Sequence, residues 1–460
     1  MSATAATKAD YGAAPLGLNV TRDLAAFLVR FRYEDLPERA MHEARRGLID
    51  WIGCALAGSG HPTVAKLIPV LKALSGKPQA TVFAHDLKLG LLEAALANGQ
   101  MGHVLDYDDT HMGGVVLHTS SPVLAAVLAL SERGGVDGRA LICAYAAGFE
   151  AGVRIGQAAP GHHDGGWHLT GTLGSIAAGA AAGRLLGLDA QQMIYALGAA
   201  ATQAAGMQQN RGTMCKSFHA GKAASNGILA ALLAQQGFDS SDEIVEGKRG
   251  FARIYSNVAR PELVLDGLGE RWEIARNGHK PYACGVVLHP VLDGMVALAG
   301  KSSLAPVQVA RIEARVHPLA VRITGLGDPK TGLQSKFSIY HAAAVAYLDR
   351  MAGIAQFTDA RSAASDVVAL RGKIVVTTDD TFRNDEAHAT LVPVSGETVE
   401  AHVAHASGTV ENPMSDAAIE AKFLANAAPV VGDDRARQIA ASAWRLDALN
   451  DARELAALCA

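Results

Sequence analysis

From Thr21 to about residue 270, apolar positions recur at three- and four-residue steps, the spacing of helices that each bury a face. In "LPERAMHEARRGLIDWIGCALAGSG", Pro37 suits a first helical turn, Met41, Ala44, Leu48 and Ile52 share one face, and Gly58 can end the helix. "SPVLAAVLALSERGG", "ALICAYAAGFEAGVRIG", "TLGSIAAGAAAGRLLGLD", "AQQMIYALGAAATQAAG" and "AGKAASNGILAALLAQQGF" are rich in Ala, closed by Gly and apolar all round. Helices of that kind are expected in a buried cluster, packed against one another.

After about residue 270 the period changes to two. In "VARIEARVHP", Ile312, Ala314 and Val316 alternate with Arg311, Glu313 and Arg315, which predicts a strand covered on one face. "GKIVVTTDD" and "ATLVPVSGETVEAHVAHASG" extend the sheet, with Ser395-Gly396 as a hairpin turn. "SKFSIYHAAAVAYLDR" returns to helix, and from "NPMSDAAIEAKFLANAA" the chain is helical to its end, with Ser415 or Asp416 as a cap. The pattern predicts a mainly α protein. A large all-helical domain is built from both ends of the chain, residues 20–270 with 410–455, and a smaller α+β domain, 271–409, is inserted with a cleft between them. The segment 1–19 lacks the apolar run of a signal peptide and reads as a flexible lead-in.

Composition narrows the partners. The chain has 460 residues, 41 Lys plus Arg against 45 Asp plus Glu, and a net charge of −4, so nucleic acid and an anionic membrane surface are not expected as partners. The longest uncharged runs are interrupted by glutamines, and no transmembrane span is expected. Five cysteines (54, 143, 215, 284 and 459) form no short paired spacing, which argues against a disulfide framework or a zinc module and fits a reducing cytoplasm.

Four loops carry the chemistry. "NGQMGHVLDYDDTHM" holds His103, Asp106, Asp108, Asp109, Thr110 and His111, with His118 following. Three carboxylates so close must be compensated, either by water or by a constructed site. A metal is also conceivable, although the spacing matches no zinc motif. "PGHHDGGWHLTGTLGS" sets His168 beside glycines at a helix start, where free amides favour an anion. "QNRGTMCKSFHAGKAASNG" places Arg211, Lys216, His219 and Lys222 at another helix entrance, against the helix dipole, which implies a neutralising anion or a solvated basic turn. "RNGHKPYACGVVLHPVLDG" brings His279, Lys280, Tyr282, Cys284 and His289 to the domain boundary, where ligand clefts favour forming. Cys284 reads as a small wall residue. Together the loops suit proton abstraction beside a carboxylate of a small polycarboxylic acid, because the developing dianion needs ammonium charges already in place.

"NGQMGHVLDYDDTH", "GGWHLTGTLGS", "GTMCKSFHAGKAASNGILAALLAQQGF", "KPYACGVVLHPVLDG" and "DPKTGLQSKFS" resemble, in order, blocks of the MmgE/PrpD family, which includes 2-methylcitrate dehydratase, cis-aconitate decarboxylase and iminodisuccinate epimerase. The resemblance implies a helical domain with an α+β lid, a homodimer, and catalysis with no metal or organic cofactor. It also implies His118, His168, Lys216, Lys280 and Asp106 as catalytic groups, with Asp106 orienting a histidine. Thr110, Arg211, His219, Tyr282 and His289 are the expected substrate-binding residues. The family's cis-aconitate decarboxylases carry a histidine about five residues after the boundary lysine, where this chain has Gly285. The expectation is therefore a cofactor-independent lyase of a small di- or tricarboxylic acid, a hydro-lyase before a decarboxylase. An epimerase of an imino- or amino-dicarboxylate is the main alternative, and an inactive polycarboxylate binder a lesser one.

Overall fold

The computed structural model describes residues 18–460, so positions 1–17 of the expected lead-in over 1–19 lie outside the described residues. The protein is mainly α, as expected. The helix Glu38–Gly58 starts directly after Pro37 and buries Ala44, Leu48 and Ile52, whereas Met41 stays partly exposed. The five Ala-rich stretches form the helices Ser120–Ser131, Gly138–Gln157, Leu169–Leu185, Ala190–Ala201 and Met214–Gln235. Ser120–Ser131 is buried along its whole length, which its all-round apolar sequence requires.

Close packing of these helices is set by glycine. Gly99, in the helix Leu91–Val104, lies so near Gly221 of Met214–Gln235 that a Cβ on Gly99 would stand 2.9 Å from the Gly221 Cα. A Cβ on Gly221 would in turn strike the Leu96 carbonyl oxygen. One turn from this crossing, His103 ends the first helix, and Lys216 opens the second.

Two cores result. The first combines residues between Val20 and Ile274 with Ile419, Phe423, Ile439 and others from the C-terminal helices Asp416–Val431 and Asp433–Trp444. Ser415 caps the former, accepting from the Ala418 amide. The second core runs from Ala283 to Ala401 and also takes in Cys54, Val104, Leu105 and Tyr107. Its sheet has the strand order Ile374–Thr378, Val309–Val316, Ala387–Pro393, Val399–Val403, the first pair parallel and the others antiparallel. Ile312, Ala314 and Val316 face inward, as their alternation predicts, and Gly396 turns the last hairpin at φ +107°. The helices His289–Lys301 and Ile339–Asp349 cover the sheet.

One short pairing positions the site. Thr110 and His111 pair antiparallel with Gly278 and Asn277, which fastens the acidic loop to the chain just before Lys280. Two-residue strands carry no periodic signal, and the sequence pattern did not reveal this one. Among the described residues, no helix is long and apolar enough to cross a membrane.

Candidate active site

Asp106 follows the helix Leu91–Val104 in a left-handed turn, φ +51°, and is buried. Its Oδ1 accepts from Lys280 Nζ at 2.7 Å and its Oδ2 lies 3.0 Å from Lys216 Nζ. Burial alone would push this carboxyl up, but the Lys216 and Lys280 ammoniums outweigh it and hold Asp106 well below the ordinary carboxylate range. Lys280 also donates to the Asp106 carbonyl at 3.0 Å. Asp106 does not orient a histidine, contrary to the expectation, because both of its oxygens are committed to lysines.

Asp108 does that work instead. It accepts from His103 Nδ1 at 2.9 Å and from Ser121 at 2.8 Å, with His118 Nδ1 3.6 Å away. His118 Nδ1 lies 3.0 Å from the Asp109 carbonyl and 3.0 Å from Thr110 Oγ1. A carbonyl only accepts, so Nδ1 carries the proton and the lone pair of neutral His118 sits on Nε2. Asp109, hydrogen-bonded to Ser120 and Asn277, is pushed up to about 7 by burial, against the pull of the His279 charge. Each carboxylate of the loop thus has its own partners, which answers how three of them coexist.

The imidazoles stand in a row. The His103 ring lies 4.6 Å from His118 and 5.5 Å from His168, and His168 Nδ1 contacts His219 Nδ1 at 2.9 Å. Burial, reinforced by Lys280, keeps His118 well below the ordinary histidine value; burial and Lys216 do the same for His168. Both are therefore neutral at pH 7 and able to accept a proton.

A cleft of about 310 Å³ at the seam of the two cores is lined by Asp106, His118, His168, Lys216, Lys280 and Arg211. Thr110 and His219 stand behind the cleft histidines as hydrogen-bond partners. Two other expected substrate-binding residues do not line it. Tyr282 gives its hydroxyl to Asp293 at 2.6 Å, and His289 opens the helix His289–Lys301 wholly buried under Tyr282. Cys284 is likewise buried, its thiol pushed up to about 12 by burial.

Sequence reasoning missed three participants. His103 and Asp108 were visible in the acidic loop, but nothing in the spacing told them from their neighbours. Lys336, within "QSKFS", is buried and donates to the Leu105 carbonyl at 2.7 Å and to the Ala283 carbonyl at 2.6 Å, tying the end of the acidic loop's helix to the segment after Lys280 beside Asp106. Burial draws it down to about 8, although Asp106 pulls the other way. A buried lysine within an apparent helix start gave no signal of a clasp across domains.

A second network braces the loop from behind. Asp50 holds Lys422 at 2.5 Å and His279 at 2.9 Å, while Lys422 donates to the Tyr107 carbonyl at 2.7 Å. His279 also contacts Glu43, at 2.5 Å. His111, bonded to Glu273 at 3.1 Å and to the Val115 carbonyl, serves the loop's shape.

A helical domain and an α+β unit meet at a seam of lysines and neutral imidazoles, an arrangement suited to an anionic ligand. The chain belongs to the MmgE/PrpD family: the MmgE/PrpD N-terminal domain matches residues 22–264 and the C-terminal domain residues 282–447. It is 28% identical over 465 residues to a cis-aconitate decarboxylase of Aspergillus terreus, covering 94% of each chain. It is 24% identical to the cis-aconitate decarboxylase of Homo sapiens, over 96% of this chain and 94% of that one. A 2-methylcitrate dehydratase of Cupriavidus necator is 25% identical over 379 residues, 77% of this chain and 76% of the relative. Decarboxylases and dehydratases are both lyases.

Proposed function

We propose that this protein is a lyase acting on a small di- or tricarboxylic acid, and that it removes water by abstracting a proton beside a carboxylate. The observation that carries the reading is the Asp106 carboxylate held between Lys216 and Lys280 on the floor of a cleft that His118 and His168 also line. In this scheme Lys216, Lys280 and Arg211 receive the substrate carboxylates, and the lone pair on His118 Nε2 takes the α-proton. The lysines then stabilise the dianion that develops. His168, whose proton affinity rises as the anionic substrate arrives, protonates the departing hydroxyl, with His219 as its partner on Nδ1. These side chains supply both proton transfer and charge neutralisation, so the scheme calls on no metal and no organic cofactor.

Gly285 favours dehydration over decarboxylation. It lines the cleft, and the family resemblance implies that cis-aconitate decarboxylases carry an imidazole at this position, whereas a glycine offers no proton. Relatives of both activities align along most of this chain, so identity alone does not choose between them. The deciding experiment is an NMR screen of 2-methylcitrate, citrate, cis-aconitate and iminodisuccinate in deuterated water, with and without a chelator. Loss of water from a citrate, unaffected by the chelator, is the expected result. Carbon dioxide release from cis-aconitate, or deuterium entering iminodisuccinate with no loss of water, would replace the dehydratase with a decarboxylase or an epimerase.

A further inference from the structure

Besides its charged groups the cleft is lined by Val116, Val286, Val287 and Leu319, and the same four side chains line an adjoining arm of about 500 Å³ that also takes in Met112 and Phe382. Val116 is 43% exposed, an apolar surface that a compact polyanion on the lysines would leave wet. Gly285 lines the cleft next to Val286. Its backbone, φ −58° and ψ 132°, is open to any residue, so the chain has no conformational need for glycine there. Space is what the glycine provides: a Cβ would meet nothing nearer than Thr324 Cγ2 at 3.8 Å and the Lys336 carbonyl at 3.9 Å.

From this arrangement we infer that the substrate is a polycarboxylate bearing an apolar substituent of several carbons, whose carboxylates meet the lysines while the substituent lies along Val116, Val286, Val287 and Leu319. The inference rests on the polycarboxylate reading above and specifies the substrate within it. Each methylene brought out of water against this wall raises affinity about fourfold. The gain ends where the arm reaches its polar rim at Asp385, His405 and Glu411.

The test uses the full chain and two series of ligands. Binding of tricarballylate and its 2-methyl, 2-propyl and 2-hexyl derivatives, which lack the leaving hydroxyl, is measured by calorimetry. Turnover is measured on citrate and the matching 2-alkylcitrates. The expected result is a rise in affinity of about fourfold per methylene over the first few carbons. The ratio of alkylated to unsubstituted binding should collapse toward one in Gly285→Leu, which adds a branched side chain to the cleft beside Val286. It should collapse as well in Val116→Asp, an exposed position that tolerates a charge and keeps the test available should Gly285→Leu not fold. Equal affinity across the series, or a gradient unchanged in both variants, overturns the inference. A gradient without turnover of any citrate sustains it and removes the lyase reading; turnover without a gradient does the reverse, and no binding of any member removes both.

Discussion

His118 Nδ1 lies 3.0 Å from the carbonyl oxygen of Asp109, a contact that only a protonated nitrogen can make, so the neutral ring presents its lone pair on Nε2. The ring's depressed proton affinity, caused by burial and by Lys280, fixes the acid side of the pH profile. A base must be unprotonated to act, and this one stays so below the ordinary histidine range near pH 6.5. The plot of kcat/KM against pH should therefore hold its plateau through pH 6.5 and fall only at clearly lower pH. A limb centred on 6.5 would assign the base to a solvated histidine elsewhere. His118→Ala should lower kcat by about 10²- to 10⁴-fold.

Lys216 separates chemistry from folding. Its Nζ sits 3.0 Å from Asp106 Oδ2, but Asp106 keeps Lys280 at 2.7 Å when Lys216 is gone, and the Lys216 side chain is 12% exposed. Lys216→Met should reduce kcat/KM by about 10²- to 10³-fold, the loss typical of one group that stabilises a developing anion. Melting temperature should drop by no more than about 4 °C. Steady-state kinetics and a thermal melt on the same preparation decide it, and equal collapse of both would make Lys216 a folding residue.

Much of this was legible beforehand because helix and strand periods are properties of the local sequence. The Ala-rich helices and the Ile312/Ala314/Val316 alternation could be read directly, and so could the turn at Gly396. Lys216, Lys280 and His168 each sat in a loop whose glycines or charges had no local use. What escaped was non-local. The pairing of Thr110–His111 with Asn277–Gly278 joins residues far apart in the chain, and no spacing announces it. Which carboxylate serves the lysines and which the histidines depends on the left-handed turn at Asp106, a conformation usual for glycine and not readable from an aspartate. Tyr282 and His289 were placed near the boundary, but the Tyr282 hydroxyl is given to Asp293 and His289 is buried beneath the Tyr282 ring.

Lys336 should set the alkaline side of the profile. Burial draws it down to about 8, and only the charged form donates fully to the Leu105 and Ala283 carbonyls that flank Asp106 and Lys280. The clasp is therefore made below pH 8 and loosens above it, so kcat/KM should fall as pH rises through about 8. Bound polyanion favours the charged lysine, which moves the limb of kcat to higher pH than that of kcat/KM. In Lys336→Met the plateau should be lower and this limb absent. A limb that persists at 8 in the variant would belong to another group.

His279 ties stability to pH in the opposite sense from an acid-labile carboxylate. Burial opposes its charge, but Glu43 and Asp50 on either side outweigh burial and raise it to about 9. The folded state holds this proton more tightly than the unfolded chain, whose histidine titrates near 6.5. The stabilisation is thus fully present below pH 6.5, declines as pH rises, and is gone above about 9, a change on the order of 3 kcal/mol across that window. Urea denaturation at a series of pH values should show the midpoint falling between pH 6.5 and 9. His279→Gln keeps a hydrogen-bonding side chain but has nothing to titrate, and Asp50 keeps Lys422 as its counter-ion. The variant should be less stable than the native chain at pH 6 and lose most of the alkaline decline. An equal decline in both proteins would place the titrating group outside the Asp50–His279–Glu43 network.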